Sequence, residues 1–284
     1  ISIVFYGACV IALYRILKRW HSDKVALLAT AMFATNATVL IVARLGTPLV
    51  LIFCWSLIIS LLLWLQHGSS RRVAPFTLIV ISAFLLYVPG APYFFLLLLL
   101  MFRKDIRSNL LSIKRLNLII AICSSIFVLL PLIISFIDNV ELLKTWLMLP
   151  ETINFVDLIK NILRVPSAFI FRSTTSPLLN IGTLPVLDVA SGGFLIFGLY
   201  VYFKNNKLER TKIMLLTAIF GIIIGALGQL ALAMVLLLPF AYSLVAAGIS
   251  FLLEEWYTVF PKNPFARSFG LLIVTTVVLF GIYY

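Results

Sequence analysis

Residues 117–137 have the sequence NLIIAICSSIFVLLPLIISFI and contain no charged side chain. A membrane-spanning helix needs about 20 consecutive, mostly apolar residues, because the hydrocarbon core of a bilayer is about 30 Å thick. This stretch meets that requirement, and further apolar segments recur along the chain between short polar breaks. The predicted membrane segments are residues 1–17, 25–42, 48–65, 75–88, 92–102, 117–137, 189–203, 212–227, 229–252 and 268–284.

The composition of the whole chain also indicates a membrane protein. Of its 284 residues, 63% are hydrophobic and 11% are charged, and the mean hydropathy is +1.15. A soluble domain has about 45–50% apolar and about 25% charged residues, and a fold of this length has too little interior for so much apolar surface. We therefore predict an all-α, polytopic transmembrane helical bundle with about ten membrane segments.

Basic residues lie in clusters between the apolar segments and account for the net charge of +12. Their position is typical of cytoplasmic loops and not of a nucleic-acid-binding patch. With every cluster cytoplasmic, the apolar segments pair across the membrane, which predicts a multi-pass protein of the plasma membrane. The clusters are Lys18, Arg19 and Lys24; Arg71 and Arg72; Arg103, Lys104, Arg107, Lys114 and Arg115; Lys204, Lys207, Arg210 and Lys212; and Lys262 and Arg267.

This pairing requires that residues 75–102 form two short helices instead of one span. The motif YVPGAP at residues 87–92 favours the division, since Pro89 lacks a backbone donor and Gly90 tolerates irregular conformations. Broken backbone at membrane depth survives only where protein or a water-filled cavity surrounds it. The break is therefore either a re-entrant corner or part of a functional site.

Residues 138–188 form the least hydrophobic stretch and are predicted to be extracytoplasmic. They separate N-terminal membrane helices (1–137) from C-terminal ones (189–284). A connection of this length is usually functional. Apolar and polar residues alternate there at helical spacing, which predicts an amphipathic helix that either lies on the membrane surface or plugs the bundle. Its apolar positions are Phe155, Leu158, Ile159, Ile162 and Leu163, and its polar positions are Asp157, Lys160, Asn161 and Arg164.

Three polar residues at this external face are candidates for substrate binding. Arg44 ends an apolar segment and suits a phosphate or carboxylate, the alternative being an arginine that extends to the interface. Asp188 stands where the loop re-enters the membrane, and the alternative is an N-cap. Tyr87, beside the break, could contact a sugar or lipid phosphate or anchor the interface. Glu254 and Glu255 are assigned to the cytoplasmic interface.

Motifs of soluble enzymes are absent from the sequence. There is no phosphate-binding loop, dinucleotide fingerprint, nucleophile elbow or Cys/His metal set. Gly192 and Gly193 are interpreted as a helix-packing pair. Cysteines occur inside apolar segments and give no disulfide framework; they are Cys9, Cys54 and Cys123.

Three stretches together carry a family resemblance. Residues 29–53, with ARLGTPL at 43–49, resemble a span and turn of the polyprenyl- or dolichyl-phosphate-sugar glycosyltransferases of the GT-C fold. The broken pair around YVPG at 87–90 and the long external loop are similar to further features of these enzymes. The chain as a whole resembles the protein O-mannosyltransferase and aminoarabinose-transferase branch. The motifs LPVLD at 184–188 and FPKNPFAR at 260–267 look like a bacterial subgroup.

This resemblance implies transfer of a sugar from a polyprenyl-phosphate donor to a protein, lipid or glycan acceptor at the external face. Arg44 matches a family polar position and is expected to contact the lipid-linked donor. The family's catalytic acid lies in a first external loop, which we expect to precede residue 1, so the catalytic residue is unknown and the use of a divalent metal stays open. Val88 and Pro89 stand where the family has a lysine.

Two other classes of protein share many of these features. A polytopic transporter or lipid flippase also has many spans and broken helices, although the two halves of this sequence show no convincing repeat. A non-catalytic membrane subunit is the third alternative. An acidic pair after the first membrane span of the complete protein would favour the transferase.

Overall fold

The computed structural model describes residues 2–44, 74–87, 89–101, 103–104, 106–107, 115–149, 155–171, 185–204, 209–227 and 230–283. Every regular element in these ranges is an α-helix, which confirms the all-α part of the predicted fold class. The helices of this part of the chain are α1 (Ser2–Trp20), α2 (Asp23–Thr35), α3 (Ala37–Arg44), α4 (Ala74–Leu85), α5 (Ala91–Met101), α6 (Arg115–Asp138), α7 (Val140–Trp146), α8 (Phe155–Ile170), α9 (Val189–Lys204), α10 (Glu209–Ala226), α11 (Leu230–Val259) and α12 (Pro264–Tyr283).

The prediction of about ten membrane segments is not supported. By length and composition, the described residues contain three helices able to cross a membrane, namely α6, Ala233–Val259 of α11 and Pro264–Gly281 of α12, or up to four if α2 and α3 form one bent span. Most predicted segments are helical, but several helices are too short. At 1.5 Å per residue, the 16 residues of α9 extend about 24 Å. The predicted segment 48–65 lies outside the described residues.

Helix α6 gives the clearest structural indication of a membrane. It is apolar along most of its length, yet only Ala121 is buried among its residues. Large side chains such as Phe127 and Ile137 are exposed on it. A helix that is hydrophobic on all sides is stable where protein or lipid surrounds it. The exposed apolar surface of α6 therefore fits a lipid environment.

Helix α11 is the centre of the bundle. It packs against α1, α2, α3, α8, α9, α10 and α12. Its contact with α9 is a close backbone approach, since a Cβ atom on Gly198 would overlap the carbonyl oxygen of Leu244, and one on Gly248 would overlap that of Phe194. Small residues allow such contacts between membrane helices. Gly192 and Gly193, which the sequence suggested for packing, have open space around them.

Helices α2 and α3 are together long and apolar enough for one membrane span, and we call this bent pair the bent span. Their axes differ by 57° at a break of one residue, Asn36. The backbone of Asn36 is non-helical, and its side-chain oxygen accepts a hydrogen bond from the backbone N–H of Val39 at 3.2 Å. An asparagine favours such breaks because its side chain competes for backbone groups. The break therefore has a local cause in the sequence.

Three helix junctions meet at one end of the bundle, which we call the basic face. A guanidinium nitrogen of Arg210, at the start of α10, donates to the carbonyl oxygen of Trp20, at the end of α1, at 3.3 Å. Lys24, Lys204 and Glu254 line one cavity there. Lys24 belongs to one predicted basic cluster, and Lys204 and Arg210 belong to another. Their position in one cavity agrees with the prediction that these two clusters lie on the same side. Arg71 and Arg72 lie outside the described residues, and the cytoplasmic assignment stays a prediction.

The YVPGAP break is a corner between α4 and α5 that is held by α7. The backbone N–H of Gly90, which has a φ of 78°, donates to the carbonyl of Trp146 at 2.9 Å. In return, the indole N–H of Trp146 donates to the carbonyl of Leu86 at 2.6 Å. The backbone groups left by the break thus find protein partners. These contacts show a corner supported by protein, and its role in a functional site stays a prediction.

The predicted amphipathic helix is present as α8, and it packs on the bundle. Val165, Ala168 and Phe169 in its C-terminal half are buried, and α8 packs on α10 and α11. Phe155 and Leu163 on another side of the helix are exposed. One face of the helix therefore packs on the bundle, and its position on a membrane surface stays a prediction.

Candidate functional site

Away from the basic face, four polar residues from three parts of the chain meet in what we call the polar junction. They are Asn36, Asp188, Ser191 and Tyr242. Asn36 lies at the break between α2 and α3, Asp188 and Ser191 at the start of α9, and Tyr242 within α11. Ser191 and Tyr242 are buried. Polar groups inside an apolar bundle are costly unless they are paired, so their connections decide the character of the site.

Asp188 is the N-cap of α9, as one reading of the sequence predicted. One carboxylate oxygen accepts from the backbone N–H groups of Ala190, at 3.1 Å, and Ser191, at 3.2 Å. The other accepts from the hydroxyl of Ser191. These bonds satisfy donors at the helix N-terminus, where negative charge is favourable. The carboxylate is half-buried, and it has room for about one further hydrogen-bond donor.

Helix α12 closes one side of the polar junction. A Cβ atom on Gly281 would lie 2.6 Å from a carboxylate oxygen of Asp188. Glycine is therefore the residue that lets α12 approach the carboxylate at this point. This close approach restricts the directions from which a ligand reaches Asp188.

Asn36 connects the polar junction across the bundle. Its amide nitrogen donates to the carbonyl of Val186 at 2.8 Å and to the hydroxyl oxygen of Tyr242 at 3.1 Å. The Tyr242 hydroxyl also interacts with the side chain of Ser191. A continuous polar path thus runs from Asp188 through Ser191 and Tyr242 to the break of the bent span.

Arg44 and Tyr87 lie outside the polar junction. Arg44 is the last residue of α3 and is exposed; the eight residues of α3 extend about 12 Å from Asn36. Arg44 has no ion-pair partner within the described residues. Tyr87 lies at the corner of α4 and α5, and its hydroxyl donates to the carbonyl of Val128 in α6 at 2.5 Å. The structure therefore does not bring the three predicted residues, Arg44, Tyr87 and Asp188, together in one site.

The sequence signal for the polar junction is weak. Of its four residues, only Asp188 was predicted from the sequence. Asn36 is a lone amide within the apolar segment 25–42, and such residues often have a partner or a function. Ser191 and Tyr242 give no signal, because serine and tyrosine are common in membrane helices. Within the described residues, no cluster of three His, Cys, Asp or Glu side chains could hold a metal ion.

A second polar region is a cavity of about 640 Å³ at the basic face. His21 lines it and forms a 2.9 Å hydrogen bond between its Nδ1 and the hydroxyl of Ser250 in α11. Burial, and next the positive charge of Arg210, lower the pKa of His21 from 6.5 to about 4. The imidazole is therefore neutral near pH 7, and it fastens the turn between α1 and α2 to α11.

No protein-family model, curated protein or solved structure matches the chain. The resemblance of its motifs to GT-C glycosyltransferases stays a prediction from sequence.

Proposed function

We propose that the chain is a membrane glycosyltransferase that moves a sugar from a polyprenyl-phosphate donor to an acceptor at the end of the bundle opposite the basic face. The observation that carries the proposal is the position of Arg44. It stands at the end of a bent span, one short helix beyond the polar junction, with no carboxylate partner among the described residues. An exposed guanidinium of this kind suits a phosphate, to which it can form two parallel hydrogen bonds.

In the proposed reaction, the acceptor oxygen forms a bond to the anomeric carbon of the sugar while the bond from that carbon to the phosphate oxygen breaks. The acceptor proton passes to a carboxylate base that we leave unassigned. Arg44 stabilises the negative charge that develops on the departing lipid phosphate. The ion pair between the phosphate and Arg44 also orients the donor. The lipid tail lies in the membrane and the phosphate is held by Arg44, so that both sides of the phosphate-lipid bond have a fixed position.

Asp188 is proposed to bind the sugar and not to act as the base. Three donors already hold its carboxylate, and a carboxylate has about four acceptor positions. One sugar hydroxyl can therefore occupy the position that remains. Tyr87 is proposed as an acceptor-side contact, because its hydroxyl proton is directed to Val128 and its oxygen can still accept a hydrogen bond.

The test uses the purified full-length protein in proteoliposomes with a series of radiolabelled polyprenyl-phosphate sugars and a membrane extract as acceptor. We expect one donor to be consumed, and Arg44→Ala to lower transfer about 10- to 100-fold, the magnitude of losing one or two charge-assisted contacts. Arg107→Ala is the matched control, because Arg107 is an exposed arginine of a basic cluster that is predicted to be cytoplasmic. Consumption of no donor, or equal rates for Arg44→Ala and the unmodified chain, would contradict the proposal.

A transporter or lipid flippase is the second candidate, and the bent span favours it. Discontinuous helices often form the binding sites of transporters, and α2 and α3 are bent by 57°. The same proteoliposomes distinguish the two functions. Movement of a fluorescent polyprenyl phosphate between leaflets without release of sugar would indicate a flippase, whereas formation of a sugar-acceptor bond would indicate the transferase.

A further inference from the structure

The cavity at the basic face is separate from the polar junction and independent of the proposed transferase function. It lies where the ends of α1, α9 and α11 meet the starts of α2, α10 and α12. Its volume is about 640 Å³, which is within the range of small-molecule sites. Because it is formed by helix ends that pack on one another, its walls are present before any ligand enters.

Three cations line this cavity: Lys24, Lys204 and Arg210. No ion pair joins any of them to a carboxylate among the described residues. Arg210 is held in position, since it donates to the carbonyl of Trp20 at 3.3 Å and its guanidinium lies 5.7 Å from the ring centre of Tyr202. A guanidinium has five N–H donors, so several remain for a ligand.

The opposite charge comes from α11. Ala247, Ser250, Glu254 and Tyr257 line the cavity, and their spacing of three and four residues puts them on one face of the helix. Glu254 is exposed and has no ion-pair partner within the described residues. His21 is bonded to Ser250 and neutral near pH 7. The cavity therefore presents unpaired charges of both signs.

The surroundings of the cavity indicate a membrane interface. Trp20, Tyr200 and Tyr257 line it, and such aromatic residues are enriched at the level of lipid head groups. Leu271 of α12 also lines it, and the next residue, Leu272, is an exposed apolar side chain of a helix able to span a membrane. A lipid beside α12 can thus reach the cavity with its head group.

We propose that this cavity binds a phosphodiester whose head group donates hydrogen bonds, the chemistry of phosphatidylethanolamine. Arg210 and Lys204 bind the phosphate, because a phosphate accepts several charge-assisted hydrogen bonds. Glu254 binds the ammonium group. A simple anion would meet repulsion from Glu254, and phosphatidylcholine has no N–H group to donate to it. Unpaired charges of both signs in one cavity favour a ligand that carries both.

The test uses the whole chain in nanodiscs that contain phosphatidylcholine and a small fraction of phosphatidylethanolamine, with bound lipids identified by native mass spectrometry. We expect selective retention of phosphatidylethanolamine. Arg210→Gln should weaken its binding about tenfold, the effect of one charge-assisted hydrogen bond. Arg210→Lys should weaken it less. Glu254→Gln should reduce the preference over phosphatidylcholine, and the double change Glu254→Gln and Glu255→Gln should remove it, because Glu255 also lines the cavity.

Lys262→Gln is the matched control, because Lys262 lies in the turn between α11 and α12 and does not line the cavity. Equal retention of the two lipids, or equal effects of Lys262→Gln and Arg210→Gln, would overturn the proposal. Titration with soluble glycerophosphoethanolamine identifies the source of the ligand. Binding as tight as that of the lipid, with the same dependence on Arg210, would support the phosphodiester chemistry and exclude the membrane as its necessary source.

Discussion

The amide nitrogen of Asn36 donates to the hydroxyl oxygen of Tyr242 at 3.1 Å. This bond joins the break of the bent span to the central helix α11. The same amide donates to the carbonyl of Val186, and its oxygen accepts from Val39. One side chain therefore closes the break in α2 and α3, holds the segment before α9, and contacts the centre of the bundle.

Replacing Asn36 by alanine should destabilise the protein. The change leaves the hydroxyl of Tyr242 and the carbonyl of Val186 without this donor, and we expect the free energy of unfolding to fall by about 1–3 kcal/mol. Denaturation in mixed micelles measures it. Thr35→Ala is the control, because Thr35 is exposed and donates only to carbonyls of its own helix. Equal stability of the two variants would show that the Asn36 contacts are unimportant.

Alanine at Gly248 should disrupt the contact between α9 and α11. Its Cβ atom would overlap the carbonyl oxygen of Phe194, which backbone packing holds in place, and overpacking typically costs about 1–3 kcal/mol or more. Gly192→Ala is the matched control, since a Cβ there meets no atom within 4 Å. Because alanine favours helix over glycine, this control should be neutral or slightly stabilising. Thermal unfolding followed by circular dichroism would detect the difference.

Two substitutions at Asp188 separate its structural role from a role in binding. Asp188→Ala removes the N-cap of α9 and should lower the free energy of unfolding by about 1 kcal/mol. Asp188→Asn keeps a capping oxygen and should retain most of that stability. If the carboxylate binds the sugar, Asp188→Asn should still raise the KM for the donor about tenfold. Unchanged transfer kinetics in a stable Asp188→Asn protein would restrict Asp188 to capping.

His21 should make stability depend on pH in the acidic range. Its pKa is lowered to about 4 in the folded protein, whereas the unfolded chain binds the proton near pH 6.5. The unfolded state therefore binds more protons between these values, and stability falls as the pH decreases from 6.5 towards 4. The total effect is roughly 3 kcal/mol, since one pKa unit corresponds to about 1.4 kcal/mol.

His21→Gln isolates this contribution, because carboxylates also titrate in the same range. We expect the variant to lose less stability than the unmodified chain between pH 6.5 and 4.5. Chemical denaturation at a series of pH values provides the comparison. Parallel curves for the two proteins would show that the imidazole is protonated equally in the folded and unfolded states.

Most helices could be predicted from sequence, because an apolar run is a local property. Residues 117–137 became α6, and residues 189–203 became α9, within a few residues. The number of membrane spans could not be predicted in the same way. A run such as 25–42 contains Asn36, and only the three-dimensional path reveals that the helix bends there by 57°. Charged residues near helix ends, such as Arg15 in α1, further limit which helices are apolar enough to cross a membrane.

The candidate site was predictable only in part. Asp188 directly precedes an apolar run, so its capping role follows from a local rule. The partners of Asn36 lie in distant parts of the chain, at Val186 and Tyr242, and no periodicity links them. Gly248 is likewise unremarkable in sequence, and its importance comes from the backbone of Phe194 on another helix.

Apolar composition and basic clusters suffice to predict a helical membrane protein, because the preference of each side chain for lipid or water hardly depends on its neighbours. The polar junction and the charged cavity require the packed structure, because both bring together side chains from separate helices. A hydrogen bond requires two groups within about 3 Å of each other. The order of residues does not determine such distances until α2, α9 and α11 have packed together.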